Sequence, residues 1–396
     1  GLAQGLAVKR GVSVKRGDVI GYAGYFRVVL PDPHVHVSLS RFSKPLDIGP
    51  FLGLAGSATG PGAQAAAFDP ARTFAPEVLR EDFRLCREAL EEGHPGLYDY
   101  VAKAELDALF AAAEAKLDRP LTEQEFYGVL APIVGRLGCS HTFLSRSWAF
   151  LSSPSRRFQL RPRLIEGRWR VGADLKTEAG SLLGAEILGI NGVDMASIAA
   201  ALEPSVVTDG HSVAGRRRAL ERLFPYLYYS TYGLPESLTV QLRLPSGGRI
   251  EYSVPDSLRR LSDLKQLPKP VEAVSLSLLD ERTALLTVRD FETFDEDKVV
   301  GFFRELEEKQ VPNLIIDLRD NPGGAATNIA FLYGFFTDRP FRLASCLKAN
   351  TNGDYAFFAH TDGFQGNQGW TADFRPRPGQ TGVYLTPDME AAGQDG

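Results

Sequence analysis

Cysteine is scarce in this chain, with only Cys86, Cys139 and Cys346 among 396 residues. An odd number at wide spacing excludes a disulfide framework and a zinc ribbon, and says little about compartment. Long apolar runs are missing too, since no stretch approaches the ~18 residues of a membrane span. Neither sign of charge dominates: 44 basic residues face 49 acidic ones, for a formal net charge of −5. That balance excludes the clustered basic footprint of a nucleic-acid binder. The short clusters Arg216-Arg217-Arg218 and Arg259-Arg260 are read as solvated helix faces. What is present is 44% hydrophobic and 23% charged residues, which suffices for real cores and excludes intrinsic disorder. The length predicts about two to four domains. The first residue is Gly1, so a signal segment or anchor upstream is expected to have been removed or never captured.

Four blocks separate by composition. Residues 1–52 alternate Val and Ile with polar residues between glycines, the period-two pattern of short antiparallel strands. Residues 53–73 are rich in Gly, Ala and Pro and read as a linker. From 74 to 150 the pattern turns helical. Pro76-Glu77 opens a run with Val78, Leu79, Phe83, Leu85 and Leu90, and Leu106, Leu109, Phe110 and Leu117 repeat it. A third helix starts after Thr122, whose hydroxyl is expected to form a capping box with Glu125. Residues 163–255 return to short strands with one or two helices. Residues 272–345 then read strand, helix, strand, helix, over Ala284–Val288, Glu296–Lys309, Leu314–Leu318 and Ala326–Phe336. The uninterrupted apolar run Leu314-Ile315-Ile316 predicts a sheet covered on both faces.

The most informative string is Asn313-Leu314-Ile315-Ile316-Asp317-Leu318-Arg319-Asp320-Asn321-Pro322-Gly323-Gly324. It delivers a polar turn and two glycines from a buried strand to a helix start. Backbone amides there are free donors in a positive potential, as an oxyanion hole requires. A bare Gly-Gly turn would only cap a sheet, with Asp317 and Arg319 paired for structure. The whole string, however, resembles the signature of the tail-specific (C-terminal-processing, tricorn-core-like) serine peptidases. Phe83 through Tyr98, with His94-Pro95-Gly96-Leu97-Tyr98, is similar to that family's helical cap, and Leu285 through Phe294 to its lead-in to the signature. The resemblance covers about 74–396.

Between cap and core, Ala185-Glu186-Ile187-Leu188-Gly189-Ile190-Asn191-Gly192-Val193-Asp194 carries the Asn-Gly hairpin signal. It is similar to a strand of the PDZ-like domain that binds or gates substrate in this family by strand addition. An ordinary hairpin is the alternative, and no clear Gly-Leu-Gly-Phe-like carboxylate loop precedes it.

A serine nucleophile needs a neighbouring base. In the tricorn-like branch the resemblance implies a histidine preceded by a serine near the end of the helical cap. Gly138-Cys139-Ser140-His141-Thr142 matches, so His141 is the candidate base, Ser140 its supporting hydroxyl, and Gly323 and Gly324 the oxyanion donors. Without the family context His141 would be read as a packing residue, and Cys139 is read as a small buried residue. The family's nucleophile follows a strand that Gly382-Val383-Tyr384-Leu385-Thr386 matches, yet no serine occurs after Ser345. Laying Ala391-Ala392-Gly393-Gln394 over the family's Ser-Ala-Gly-Glu turn puts Ala391 at the nucleophile position. The core is therefore expected to be truncated and inactive.

In the N-terminal block, Val14 through Gly24 followed by Pro33-His34-Val35-His36-Val37 resembles the tail of a lysostaphin-type zinc peptidase. The resemblance makes His36 a ligand and His34 an assistant. One histidine cannot hold catalytic zinc, which takes three protein ligands, so the block is expected to be a remnant, with a surface histidine pair of no metal role as the alternative.

The reading is a multidomain α/β chain: a β-rich remnant (1–52), a linker (53–73), a helical cap (74–150), a PDZ-like module (151–258) and an incomplete peptidase core (259–396). Its expected partner is a peptide or unfolded protein, with no cofactor, no nucleic acid and no membrane span. The resemblance implies a bacterial cell envelope location, periplasmic or extracellular. Two rivals stay open, a non-catalytic peptide-binding protein and a fragment of a zinc-dependent cell-wall peptidase. Zinc analysis separates the latter: purified protein is expected to carry clearly less than one zinc per chain, unaltered in His36→Ala. One tightly bound zinc, lost in that variant, would defeat the remnant reading.

Overall fold

The computed structural model describes residues 68–156, 158–178, 180–255, 258–260, 272–319, 321, 323–337, 341, 348–350, 375–377 and 384–385, with the pairs 40–41 and 44–45. They form a mixed α/β structure in two compact units. One lies within Pro268–Leu347, the other within His34–Leu267 together with Lys348–Gly396. His34, His36, Ser345, Cys346 and Ala391 lie outside the described residues.

The larger unit opens with three helices, α1 (Pro76–Gly93), α2 (Lys103–Glu114) and α3 (Glu123–Arg136). Pro76 sits at the first turn of α1, where its missing N–H costs nothing. Leu79, Phe83 and Leu90 of that helix pack with Leu106, Phe110, Leu117 and Leu130 in one core. The capping box forms as the sequence predicts. Thr122 Oγ1 accepts from the Glu125 N–H at 3.2 Å, and Glu125 accepts from the Thr122 N–H at 2.8 Å. Among the described residues no helix is long and apolar enough to cross a membrane.

After a short helix α4 (Trp148–Ser152) comes a six-stranded antiparallel sheet. Its main order is Arg249–Ser253, Thr239–Arg243, Glu186–Ile190, Arg168–Val171 and Pro162–Ile165, with Val193–Asp194 paired to Glu186–Ile190. The Asn-Gly signal becomes a tight hairpin, with Asn191 at φ 47° and Gly192 at φ 80°, both in the region that a type I′ turn demands. Helices α5 (Met195–Leu202) and α6 (Val213–Tyr232) close a second core around Phe224, Tyr229, Ile187, Ile190 and Val240.

Arg216-Arg217-Arg218 lie on helix α6 as read, with Arg217 exposed, but all three also have partners within the unit. Arg216 donates to the carbonyls of Glu203, Val206 and Gly135, tying α6 to the end of α3. Arg217 and Arg218 pair with Glu221, a buried carboxylate that also takes Arg163 and the Leu164 N–H. Glu221 thereby occupies a backbone donor of the sheet's edge strand. Arg259-Arg260 lies on a strand, Leu258–Arg260, paired with Pro154–Arg156.

One side chain spans the unit's two cores. Arg146 is fully buried, its guanidinium 3.9 Å from the Phe150 ring. It donates to Glu123 Oε1 at 2.8 Å and to the Ser230 carbonyl at 2.9 Å, binding α3 to α6. Glu123 also accepts from the Ser147 N–H and Oγ at 2.9 and 2.7 Å. Asn350 adds a second long-range tie by donating to the Glu92 and His94 carbonyls at the end of α1.

In the smaller unit, Val274–Asp280 runs antiparallel to Thr283–Val288, which pairs in parallel with Asn313–Asp317. Helix α7 (Glu296–Glu308), capped by Asp295, supplies the crossover, and α8 (Ala326–Gly334) follows the signature. Val274, Leu286, Val288, Phe291, Val299 and Leu332 form the core. The sheet is not covered on both faces as its composition predicts: Ile315 is 49% exposed and Ile316 38%. Among the described residues Asn313–Asp317 is an edge strand, and an edge leaves apolar side chains without the second layer that a central strand receives.

The Arg146 node generates a stability prediction. Glu123→Ala strands a buried cation and is expected to cost about 3–5 kcal/mol, against about 1 kcal/mol for Thr122→Ala at the cap. Urea unfolding midpoints of the two variants measure the difference, and equal midpoints would refute it.

Candidate functional site

Two segments carry the residues singled out from the sequence, and each is built by its own unit. In the smaller unit the signature strand ends on Asp317, which is buried. Its carboxylate accepts from Arg319 Nε and Nη2 at 2.8 and 2.9 Å, from Arg289 Nη2 at 2.6 Å and from the Arg319 N–H at 3.0 Å. The Arg319 hydrogen bonds, followed by those of Arg289, hold it far below the usual carboxylate range. Arg289 also donates to the Arg319 carbonyl. A short motif thus fixes its own exit direction with one anion and two cations.

The glycine turn is then clamped to the neighbouring strand. Asn321 Nδ2 donates to the Val288 carbonyl at 3.1 Å, and Asn328 Nδ2 to the Phe291 carbonyl at 2.7 Å. Phe291 bridges Gly324 in parallel, its N–H donating to the Gly323 carbonyl at 2.9 Å and its carbonyl accepting from the Ala325 N–H at 3.2 Å. In that pattern Phe291 uses both of its groups, and the Gly324 N–H faces the other side. Gly324 has φ 136°, and a Cβ there would lie 2.3 Å from Glu292 N and the Phe291 carbonyl carbon. Only glycine fits so close a backbone approach. The two expected oxyanion donors therefore differ: the Gly323 N–H donates to Asn321 Oδ1 at 2.7 Å, whereas that of Gly324 is turned outward. Beside the turn, Leu285, Ile315, Ile316, Asp317, Leu318 and Arg319 line an open depression of about 500 Å³.

In the larger unit, Ser140 and His141 share a turn between α3 and α4, Ser140 exposed and His141 half-buried. The Ser140 N–H donates to Asp209 Oδ1 at 2.8 Å and its hydroxyl to Asp209 Oδ2 at 2.9 Å. One residue further on, the Gly210 N–H donates to the Gly138 carbonyl at 2.8 Å. Both glycines have positive φ, 69° at Gly138 and 58° at Gly210, and Tyr100 packs on both, so that a Cβ at either would meet its side chain. The Tyr100 ring also meets His211 edge to face at 5.7 Å. Cys139 is half-buried and accepts from Thr142 Oγ1 at 3.5 Å, in keeping with a packing residue.

Sequence reasoning missed Asp209 and Arg289. Asp209 lies 69 residues from Ser140 in an unmarked loop, and no spacing rule reaches it. Arg289 was within the lead-in already compared with the family, but its partner across the sheet becomes visible only with the parallel register. Among the described residues no group of three or more His, Cys, Asp or Glu could hold a metal ion.

Residues 282–362 match peptidase family S41. The matched segment contains the signature strand, its turn and α8, so the resemblance first drawn from that string holds there. No curated protein matches the chain. Among solved structures, mature CPAF is similar at 18% identity and TM-score 0.48, over 68% of this chain and 60% of that one. Its complex with lactacystin gives 16% and 0.45, over the same shares. The photosystem II D1 C-terminal processing protease gives 14% and 0.30, over 69% of this chain and 66% of that one. The chain thus spans less than two thirds of each.

The Asp317 cluster makes a pH prediction. Its folded-state pKa is held below the ordinary value of 3.8. The stabilisation is therefore complete above about pH 4 and is lost as pH falls from there toward the folded-state value. Asp317→Asn is expected to be less stable than the parent chain at neutral pH, with the gap narrowing below about pH 4. Urea midpoints across that range check the sign, and a gap that widens on acidification would refute it.

Proposed function

We propose that this chain is built for serine-type hydrolysis of peptide bonds in peptides or unfolded proteins. The observation that carries the reading is the glycine turn of the S41-matched segment, locked by Asn321, Asn328 and the Phe291 bridge with the Gly324 N–H turned outward. A donor fixed before charge develops needs no reorganisation as the carbonyl oxygen becomes an anion. Gly323 joins as the second donor by exchanging Asn321 Oδ1 for that oxygen. His141 is the base and Ser140 its supporting hydroxyl.

In this proposal 74–150 acts as a helical cap, 151–258 as a PDZ-like module and 259–396 as the peptidase core, while 1–52 is a zinc-peptidase remnant. Peptide addition at the Pro162–Ile165 edge has to displace Glu221 from the Leu164 N–H. The protein works in the bacterial cell envelope without a cofactor. Ala391 stands where the family overlay asks for the nucleophile, so acyl-enzyme chemistry is not expected of these 396 residues; a non-catalytic peptide-binding protein is the alternative reading.

A fluorophosphonate probe and an unstructured protein substrate test this assignment. The chain is expected to remain unlabelled and the substrate intact. Labelling of the parent chain that disappears in Ser345→Ala or Ser140→Ala would overturn it and reveal a different nucleophile. In a triad enzyme, loss of the nucleophile leaves only about 10³–10⁴-fold catalysis over water, which sets the residual cleavage to look for.

A further inference from the structure

We infer that a peptide partner joins the six-stranded sheet along its Arg249–Ser253 edge, as an added antiparallel strand. The inference rests on the peptide-partner reading above and gives that partner its place. The sheet has two edges, and their outward backbone groups are in opposite states.

At one edge, the strand Pro162–Ile165 pairs Ile165 with Arg168 and Arg163 with Arg170. The two-residue turn at Glu166 and Gly167, with φ 51° and 75°, makes Ile165 and Arg168 a hydrogen-bonded pair. The Gly172 N–H donates to the Arg161 carbonyl in the same phase. Positions 162 and 164 therefore turn their backbone groups outward. Position 162 is proline, which has no N–H to give. The Leu164 N–H is spent on the buried Glu221 at 2.9 Å, and Arg163, Arg217 and Arg218 hold that carboxylate. This edge has no donor left for a ladder.

The opposite edge is open. The Val254 N–H donates to the Leu238 carbonyl at 2.9 Å and the Leu244 N–H to the Gly248 carbonyl at 2.7 Å. These bonds set the phase of the pairing between Thr239–Arg243 and Arg249–Ser253. Arg249, Glu251 and Ser253 consequently direct both N–H and C=O away from the sheet. Among the described residues no strand pairs with them there.

The side chains along this edge state what kind of strand fits. Ile250 and Tyr252 are half-buried against the core, whereas Arg249, Glu251 and Ser253 are exposed. An added strand completes the burial of Ile250 and Tyr252 with apolar residues at alternate positions. Between them it places an acid opposite Arg249 and a base opposite Glu251, since cross-strand pairs of opposite charge attract. A second copy of the chain fits less well. The antiparallel register that engages all three outward donors sets Glu251 against Glu251, and like charges directly opposite repel.

Fluorescence anisotropy of a labelled peptide with the core Thr-Val-Lys-Val-Glu, acetylated and amidated, measures binding to the full chain. Run antiparallel, its Glu, Lys and Thr fall opposite Arg249, Glu251 and Ser253. Glu251→Pro deletes one outward N–H without touching a bond inside the sheet, and its ring obstructs the added strand. It is expected to weaken binding by about tenfold or more, the upper range for one ordinary hydrogen bond. N-methylation at the peptide's Lys is expected to do the same, and at either Val, whose N–H points away, to cost far less. Arg249→Glu combined with Glu251→Lys is expected to prefer the swapped core Thr-Val-Glu-Val-Lys. That exchange leaves the backbone intact and serves where the proline variant fails to fold. Glu221→Ala is expected to leave the affinity unchanged.

Binding that ignores Glu251→Pro and the charge exchange, yet tightens in Glu221→Ala, puts the peptide at Pro162–Ile165 and overturns the assignment. A dimer in sedimentation velocity that Glu251→Pro abolishes, with no peptide bound, overturns it in favour of a second copy. A chain that binds an unstructured protein but not this peptide also overturns the edge, while the peptide-partner reading stands. Binding neither counts against that reading itself.

Discussion

Placing a full positive charge in the middle of an apolar unit is the constraint around which the larger unit is arranged. Arg146 is buried completely, and a cation in that position is tolerated only with close partners. Glu123 supplies the charge, Ser230 a carbonyl and Phe150 a ring face, and these come from α3, α6 and α4. Each of those helices has a separate apolar reason to pack, but apolar contact alone does not fix their register. The arginine does, because a displacement of an ångström or two would leave it unpaired. Its carboxylate partner is the first residue of α3, so the capping box at Thr122 and Glu125 also holds the end of the node in place.

The same device recurs in the smaller unit with the sign reversed. There a buried carboxylate, Asp317, is met by Arg289 and Arg319 at the point where the strand gives way to the glycine turn. Both nodes are polar clusters whose members come from different elements, although Arg146 keeps one buried nitrogen, Nη2, without a hydrogen-bond partner among the described residues. The site segments follow directly after them. Ser140 and His141 lie a few residues before Arg146, and Gly323 and Gly324 a few residues after Asp317. Positions on which chemistry would depend are thus placed close in sequence to the charged node of each unit.

Local features were legible in the sequence. Thr122 and Glu125, Asn191 and Gly192, and the strand–turn–helix order of the signature each depend on neighbours within a few residues, and the structure reproduces them. Contacts between distant residues were not. Arg146 with Ser230, Ser140 with Asp209, and Arg216 with the Gly135 carbonyl of α3 join positions that no periodicity relates. The run Leu314-Ile315-Ile316 misled for a related reason: composition reports how apolar a strand is, not how many layers cover it. The Arg216–Arg218 run is helical and partly solvated as read, but its partners were missed because long cationic side chains can also reach inward to carbonyls and to the buried Glu221.

The hairpin at Asn191-Gly192 has a consequence for the chemical ageing of the protein. Asn-Gly is the peptide sequence most prone to deamidation, because the following amide nitrogen can attack the side-chain carbonyl unhindered by a Cβ. In the folded chain both ends of the Asn191 amide are engaged, Nδ2 donating to the Ser237 carbonyl and Oδ1 accepting from the Thr239 N–H. Those bonds oppose the rotation that brings the carbonyl onto the Gly192 nitrogen. The chain is thus shielded while folded and vulnerable while unfolded. The isoaspartate product lengthens the backbone by one methylene, which would spoil the pairing of Ile190 with Val193 and keep a damaged chain from regaining its sheet.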